Sequence, residues 1–326
     1  MKELDRYSVY IMTGKKKIAL ISSAFNEKDN IIPLYERIRK TVSSFRDRYE
    51  FTWLVVDNAS TDGTDGVLRR LAAEDRSFQV IFNTRNFGHI LSPYYGMMQA
   101  EGDAVLYLAS DQQDPPELIP EMIKKWEKGS LVVLARKKST KEFFPVSWIR
   151  RGYYRILSVL NDTNAELAEN CTGFGLFDRK VIEKIREMND PYPYIRGLVC
   201  YLGYKRDYVD FEQPLRRHGR TKNNFYTLYD NAMLGIISFS KVPLRVAAFA
   251  GFILSVLSFL MAVVYLVFKL THWYHFPTGT VQVLIALFFF SSVQLFFLGV
   301  IGEYLGAVLT QVCKRPAVIE KERINI

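Results

Sequence analysis

Two stretches, Val246 to Phe268 and Val281 to Ile301, contain no charged residue, and each exceeds 20 residues. As helices, each is long enough to cross the roughly 30 Å hydrocarbon core of a bilayer. A soluble domain rarely carries two such runs in succession, so the last third of the chain is read as a transmembrane hairpin. The linker from Lys269 to Thr280 holds one lysine and two histidines. The flanks carry Arg216, Arg217, Arg220, Lys222, Lys241 and Arg245 on one side, and Lys314, Arg315, Lys321 and Arg323 on the other. Positive flanks place both ends in the cytoplasm and the linker outside. Glu303 follows the second span, where it can face a partner helix or the interface.

Before the hairpin, Phe225, Leu228, Tyr229, Ala232, Met233, Ile236 and Ile237 recur at helical spacing between polar residues. Next to a membrane segment this reads as an interfacial amphipathic helix. The N-terminus up to Lys17 is polar, ends in three lysines and lacks the apolar core of a signal peptide. The expected organisation is a basic tail (1–17), a cytoplasmic domain (18–222), the amphipathic helix (223–241), a first span (242–268), an outer loop (269–280), a second span (281–305) and a basic tail (306–326). The net charge of +9 favours an anionic partner without choosing among nucleic acid, lipid headgroups and phosphorylated substrates. Three widely spaced cysteines argue against a disulfide framework, and no Cys/His spacing resembles a zinc site.

In the first half, strand-like runs alternate with helical periodicity. Ile18–Ser22, Phe51–Val56, Val80–Phe82, Ala104–Ala109 and Leu131–Ala135 read as strands. Ile31–Phe45, Val67–Ala73 and Leu91–Ala100 read as helices between them. This alternation predicts an α/β domain with a mainly parallel sheet covered on both faces. Arg150–Leu160 and Arg179–Met188 look helical, and Phe174–Phe177 and Tyr208–Phe211 look like short strands.

The densest chemistry lies in Ser110-Asp111-Gln112-Gln113-Asp114-Pro115-Pro116-Glu117. It joins the strand ending at Ala109 to a helix expected over Leu118–Lys128. Asp114 reads as the N-cap, with Glu117 three residues on and Pro116 in the first turn. Asp111 and Gln113 then sit at the carboxyl end of a strand, where open α/β sheets bind ligands. Their hard oxygens suit Mg²⁺ or Mn²⁺ beside a diphosphate. A plain capped strand-to-helix loop would leave many of the same residues.

Several ordered motifs together resemble the membrane-anchored polyprenyl-phosphate glycosyltransferases. These are inverting family-2 enzymes of the GT-A fold, among them bactoprenol glucosyltransferases and dolichyl-phosphate mannose synthases. Ser23-Ala24-Phe25-Asn26-Glu27 is similar to Pro-Ala-Tyr-Asn-Glu, and Asp57-Asn58-Ala59-Ser60-Thr61-Asp62-Gly63-Thr64 to Asp-Asp-Gly-Ser-Thr-Asp-Gly-Thr. Arg85-Asn86-Phe87-Gly88-His89 matches a loop near the nucleotide, with His89 read as a helix-start or supporting residue. The resemblance implies nucleotide binding by Ala24, Asn26, Glu27, Asp57, Asn58, Ser60, Asn86 and Gly88. Glu27 would take the ribose hydroxyls and Asp57 the base.

The Asp111 stretch resembles Asp-x-Asp-x-Gln-Asp-Pro-Pro, with Ala109 where the first Asp is expected and Asn58 where the second motif has Asp. Asp111 and Gln113 are implied to be catalytic and to hold Mg²⁺ or Mn²⁺. Arg136 and Arg196 match catalytic positions near the substrates; surface salt bridges are the competing reading for both. Arg216-Arg217-His218-Gly219-Arg220-Thr221-Lys222 matches Arg-x-x-Gly-x-Ser/Thr-Lys before the membrane. Arg216, Thr221 and Lys222 would clamp an acceptor phosphate, or the segment is a polybasic patch on anionic lipid. Asn170-Cys171-Thr172-Gly173-Phe174-Gly175 lacks the acidic residue some relatives carry there. A phosphate acceptor is largely ionised at neutral pH and needs no strong general base.

The resemblance implies inverting, metal-dependent transfer of one sugar from a nucleotide-diphosphate sugar, expected to be UDP-linked, to undecaprenyl phosphate. The place is the cytoplasmic face of the bacterial inner membrane. The implied partners are the donor, the lipid acceptor, the membrane and further copies of the chain, with no nucleic acid. The rivals are a non-catalytic nucleotide-sugar or lipid-phosphate binding protein, and a processive polysaccharide synthase. The synthase would need more spans and a Gln-x-x-Arg-Trp signature. No Gly-x-Gly-x-x-Gly follows the first strand, which disfavours a dehydrogenase.

Overall fold

A computed structural model describes residues 14–138, 171–191, 193–214, 230, 233–237, 240–271, 280–313 and 315–326. The chain divides into two units. The first comprises 1–151, 165–227 and 314–326, and the second 152–164 and 228–313.

The first unit is built on an eight-stranded mixed sheet of order β7-β5-β6-β4-β1-β2-β3-β8. Its strands are β1 (Lys16–Ala24), β2 (Tyr49–Asp57), β3 (Phe78–Asn83), β4 (Ala104–Tyr107), β5 (Val132–Lys137), β6 (Cys171–Asp178), β7 (Arg206–Phe211) and β8 (Glu320–Ile324). β1 lies parallel to both β2 and β4, and β2 parallel to β3, as the βα alternation predicts. β6 runs antiparallel to β4 and β5, so the start of β6 lies beside the carboxyl ends of both. β1 and β2 are nearly continuous apolar runs because both faces are covered.

Helices α1 (Lys28–Val42), α2 (Thr64–Glu74), α3 (Gly88–Gln99), α4 (Ile119–Glu127), α5 (Arg179–Met188) and α6 (Ile195–Tyr201) belong to this unit. α1 buries Ile31, Leu34, Ile38 and Val42, the one-face spacing of a helix on a sheet. α3 presses close at Gly96, where an added Cβ would lie 2.8 Å from Val56 Cγ2 and 2.9 Å from Ile21 Cγ2. The strands run longer than their apolar runs, except that β4 stops at Tyr107 rather than Ala109.

β8 was not visible as a strand in the sequence. Residues 306–326 read as a basic tail, yet the chain returns to the sheet and pairs antiparallel with β3. Arg69 donates to both carboxylate oxygens of Glu322, at 2.8 and 2.6 Å. Tyr95 Oη donates to Glu320 at 2.7 Å. Asn325 Nδ2 donates to the carbonyls of Ala72 and Phe78, at 2.7 and 2.9 Å. These backbone and polar bonds hold a segment that has little apolar surface to bury.

The second unit contains α7 (Val242–Thr271) and α8 (Thr280–Cys313), which include the two expected spans. Val242–Met261 and Phe289–Cys313 have mean hydropathies of 2.1 and 1.6, and neither window is buried in protein. By length and composition both helices can cross a membrane, and they fit membrane association. Of the expected amphipathic helix (223–241), residues 230 and 233–237 are described and helical, whereas 240 and 241 are described and not helical. The expected outer loop is shorter than 269–280, since Lys269–Thr271 and Thr280 belong to α7 and α8; its residues 272–279, the Arg150–Leu160 helix and the motif with Arg216, Thr221 and Lys222 lie outside the described residues.

Candidate active site

The loops after β1, β2, β3 and β4 leave the same edge of the sheet, because these strands are parallel neighbours. The crevice outside such an edge is where α/β sheets bind ligands. Three of the five described non-glycine residues with positive φ sit in these loops: Asn26 (+58°), Ala59 (+60°) and Gln112 (+61°). The fourth loop carries Gly88 at +91°. For an alanine or glutamine this conformation costs on the order of 1–3 kcal/mol, so the surrounding bonds must hold it.

Those bonds are present. Asn26 N–H donates to Ser60 Oγ at 2.9 Å, and Thr61 N–H donates back to Asn26 Oδ1 at 2.8 Å. Glu27 N–H donates to Thr64 Oγ1 at 3.0 Å, and Lys28 N–H to Asp62 Oδ2 at 3.2 Å. Ser60 also donates to the Asp57 carboxylate through its hydroxyl and its N–H, at 2.5 and 3.2 Å. Asp57 is buried, and burial raises its carboxyl above the usual range despite the Ser60 bonds. The first two motifs thus form one interlocked platform, with Asn26, Glu27, Asp57 and Ser60 brought together.

Three of the expected nucleotide contacts also make bonds within the protein. Ala24 is a core residue whose carbonyl accepts the Asn58 N–H at 2.8 Å. Asn58 is 3% exposed, and its side chain is fully engaged. Its Oδ1 accepts from Asn83 Nδ2 (3.1 Å), Phe87 N–H (2.8 Å) and Ser92 Oγ (2.7 Å). Its Nδ2 donates to Asn86 Oδ1 (2.8 Å) and the Gly88 carbonyl (3.2 Å). Both donors are consumed, leaving none for a ligand. Asn86 Oδ1 also accepts the Gly88 N–H at 2.8 Å, so the Asn86 side chain shapes its own loop. Asn58 therefore builds the Arg85–His89 loop from beneath.

The Asp111 loop also departs from expectation. Asp114 does not cap a helix. It is 4% exposed, and its Oδ2 accepts the Ala109 N–H at 2.9 Å. A 3₁₀ turn, Pro116–Leu118, precedes α4, and neither start has a side-chain cap. Glu117 is drawn away by Arg37, which donates to it at 3.0 and 2.7 Å. Asp111 accepts the Gln113 N–H at 3.1 Å, a tight turn that leaves both residues half-buried at the sheet edge. Gln112, absent from the expected site, is buried instead.

Arg196, at the start of α6, acts electrostatically on Asp114 and Tyr107, which puts its charge near the Asp111 loop. Arg136 does not have a free guanidinium: Asp210 accepts from it at 2.6 and 3.1 Å, and it lies over the Tyr208 ring. For Arg136 the salt-bridge reading describes the structure. The neighbouring Lys137 acts electrostatically on Asp114, the result of side-chain alternation along β5. Gly173 admits Tyr107, since an added Cβ would stand 3.2 Å from Tyr107 Cε1.

Among the described residues, no three His, Cys, Asp or Glu side chains are grouped to hold a metal. The donor set at Asp111 is one carboxylate and the Gln113 amide. That set fits Mg²⁺ or Mn²⁺ only when substrate oxygens and water complete the shell.

Burial pushes the Asp114 carboxyl up to about 6; the Ala109 N–H opposes this and the Asp111 charge adds to it. The unfolded value is about 3.9. The native state therefore holds the extra proton. This contribution to stability is fully present below about pH 4 and is lost as pH rises through about 6. Asp114→Asn keeps an acceptor for Ala109 and removes the charge. It is expected to raise stability at pH 8 by about 2–3 kcal/mol, with no gain at pH 4. Thermal melts in EDTA at both pH values check this; equal shifts at both would contradict the assignment.

A sequence profile described as glycosyl transferase family 2 matches residues 20–186. The uncharacterized glycosyltransferase YkcC of Bacillus subtilis is 33% identical over 316 residues, covering 97% of this chain and 96% of the relative. A prophage bactoprenol glucosyl transferase homolog of Escherichia coli K12 is 30% identical over 317 residues, covering 94% and 98%. The SfII prophage-derived bactoprenol glucosyl transferase of Shigella flexneri is 32% identical over 318 residues, with the same coverage.

Proposed function

The chain belongs to glycosyl transferase family 2, and we propose that it transfers a single sugar from a UDP-sugar to undecaprenyl phosphate at the cytoplasmic membrane face. Its α/β unit is the GT-A arrangement of a glycosyltransferase. The observation that carries the lipid-phosphate acceptor is similarity to bactoprenol glucosyl transferases over 94% of the chain, α/β unit and apolar helices alike.

On this reading the platform of Asn26, Glu27, Asp57 and Ser60 receives the nucleoside, and Asp111 and Gln113 face the diphosphate. A divalent cation held by Asp111 and Gln113 would neutralise diphosphate charge as the sugar leaves. Arg196 and Lys137 add fixed positive charge near the same loop. Arg216, Thr221 and Lys222 would hold the acceptor phosphate at the bilayer surface. An acceptor phosphate oxygen attacks the anomeric carbon, the bond to the UDP oxygen breaks, and UDP departs with the electron pair. A single displacement inverts the centre. The catalytic unit and both termini lie on the cytoplasmic side, with two helices as the anchor.

The test is UDP release by the full chain in detergent, across a panel of UDP-sugars. Each is assayed with and without undecaprenyl phosphate, and with Mg²⁺, Mn²⁺ or EDTA. Release that requires lipid phosphate and is abolished by EDTA supports the proposal and names the sugar. Absence of release across UDP-, GDP- and dTDP-sugars would refute it.

A further inference from the structure

We propose that Gln112 and Asn30 are positioning residues that couple the Asp111 loop to Glu27, so that the diphosphate and nucleoside ends of the donor site are set together. The inference rests on the reading of these loops as the donor site.

Gln112 lies between Asp111 and Gln113 in sequence, yet it is 3% exposed while they are half-buried. Its left-handed backbone accompanies this inward placement. Gln112 Nε2 donates to Asn30 Oδ1 at 3.3 Å, with the Asn30 carbonyl at 3.5 Å. Asn30, 2% exposed, donates through Nδ2 to Glu27 Oε2 at 2.6 Å. On the other side, Gln112 Oε1 accepts from Arg37 Nη1 at 3.3 Å, and Arg37 is clamped by Glu117. One amide thus separates Gln112 from Glu27.

The direction of these bonds is fixed from both ends. Arg37 can only donate, so Gln112 must turn its oxygen to Arg37 and its NH₂ to Asn30. Glu27, when ionised, can only accept, so Asn30 must turn its NH₂ to Glu27 and its oxygen to Gln112. Neither amide can flip without placing like groups together inside the protein. Packing alone would be met by an apolar side chain of the same size at 112. The directed polar chain adds orientation: a shift of the Asp111 loop reaches the Glu27 carboxylate.

Gln112→Glu changes one atom. It keeps the acceptor for Arg37 and turns the donor toward Asn30 into a second acceptor. UDP binding to the full chain in detergent with Mn²⁺ is measured by calorimetry. Gln112→Glu is expected to weaken UDP binding about tenfold, as is Glu27→Gln. Together they should lose no more than about twofold beyond either alone, because they act through one relay. Multiplicative losses, or unchanged affinity in Gln112→Glu while Glu27→Gln loses it, overturn the relay alone. Unchanged affinity in Glu27→Gln overturns the donor-site reading of Glu27 and the relay with it. Asn30→Asp keeps the acceptor for Gln112 and removes the donor to Glu27, so the same tenfold loss is expected from the opposite side. That variant decides the matter if Gln112→Glu does not fold, and melting temperature reports any packing role separately.

Discussion

Asp111→Ala is expected to lower lipid-phosphate-dependent UDP release by at least about a hundredfold while leaving the fold intact. Asp111 is the half-buried carboxylate of its loop, Asp114 is buried, and Ala109 supplies no further one. No three acidic or metal-binding side chains are grouped elsewhere among the described residues. On the proposed reading, Asp111 is the one carboxylate that would hold the cation at the departing diphosphate, and losing one such electrostatic contact typically costs about 10²–10³ in rate. Stability should move the other way, because the Asp111 charge raises the buried Asp114 carboxyl. The decisive control is Asp111→Asn, which keeps an acceptor for the Gln113 N–H. A comparable loss in Asn shows that charge matters, whereas near-normal release in Asn would assign Asp111 to loop shape alone.

Asn58→Asp is expected to cost about 3–5 kcal/mol of stability at neutral pH, a large effect for one atom. The Nδ2 that serves Asn86 Oδ1 and the Gly88 carbonyl would become an oxygen facing two acceptors. Asn86 cannot simply flip its amide, since the same oxygen accepts the Gly88 N–H. A buried carboxylate without a donor on that side is pushed toward its neutral form. The protonated acid can donate one bond to Asn86, so the variant should recover part of its stability as pH falls toward 5. Denaturant unfolding at pH 5 and pH 8 measures this. A loss under about 1 kcal/mol at pH 8 would show that the loop repacks freely. The expectation also accounts for Asn58 where the resembled motif has a second Asp: in this chain the position faces acceptors.

The parallel core was legible because β1 to β4 are short apolar runs at regular spacing. Local signals failed where tertiary bonds overrode them. Asp-Pro-Pro-Glu reads as a cap and first turn, but Asp114 turns back to Ala109 and Glu117 to Arg37. A single register position at the end of β5 decides that Lys137, rather than Arg136, acts on Asp114. Nothing in Gln112 distinguishes a buried glutamine from a solvated one. The segment Glu-Lys-Glu-Arg-Ile lacks apolar alternation, since an edge strand held by backbone pairing and ion pairs needs none. The polar interlock of the first two motifs was legible as residue types, but its bond directions were not.

That last strand makes the order of synthesis consequential. The chain supplies β1 to β7 first, then both apolar helices, and β8 after them. As the chain emerges from the ribosome, β3 has an open edge until Glu320–Ile324 have been made. The α/β unit therefore receives its closing strand only after both apolar helices have been made. A chain stopped before α7, the obvious route to a water-soluble version, would keep the expected donor loops but carry a permanently unpaired β3 edge and an increased tendency to self-associate.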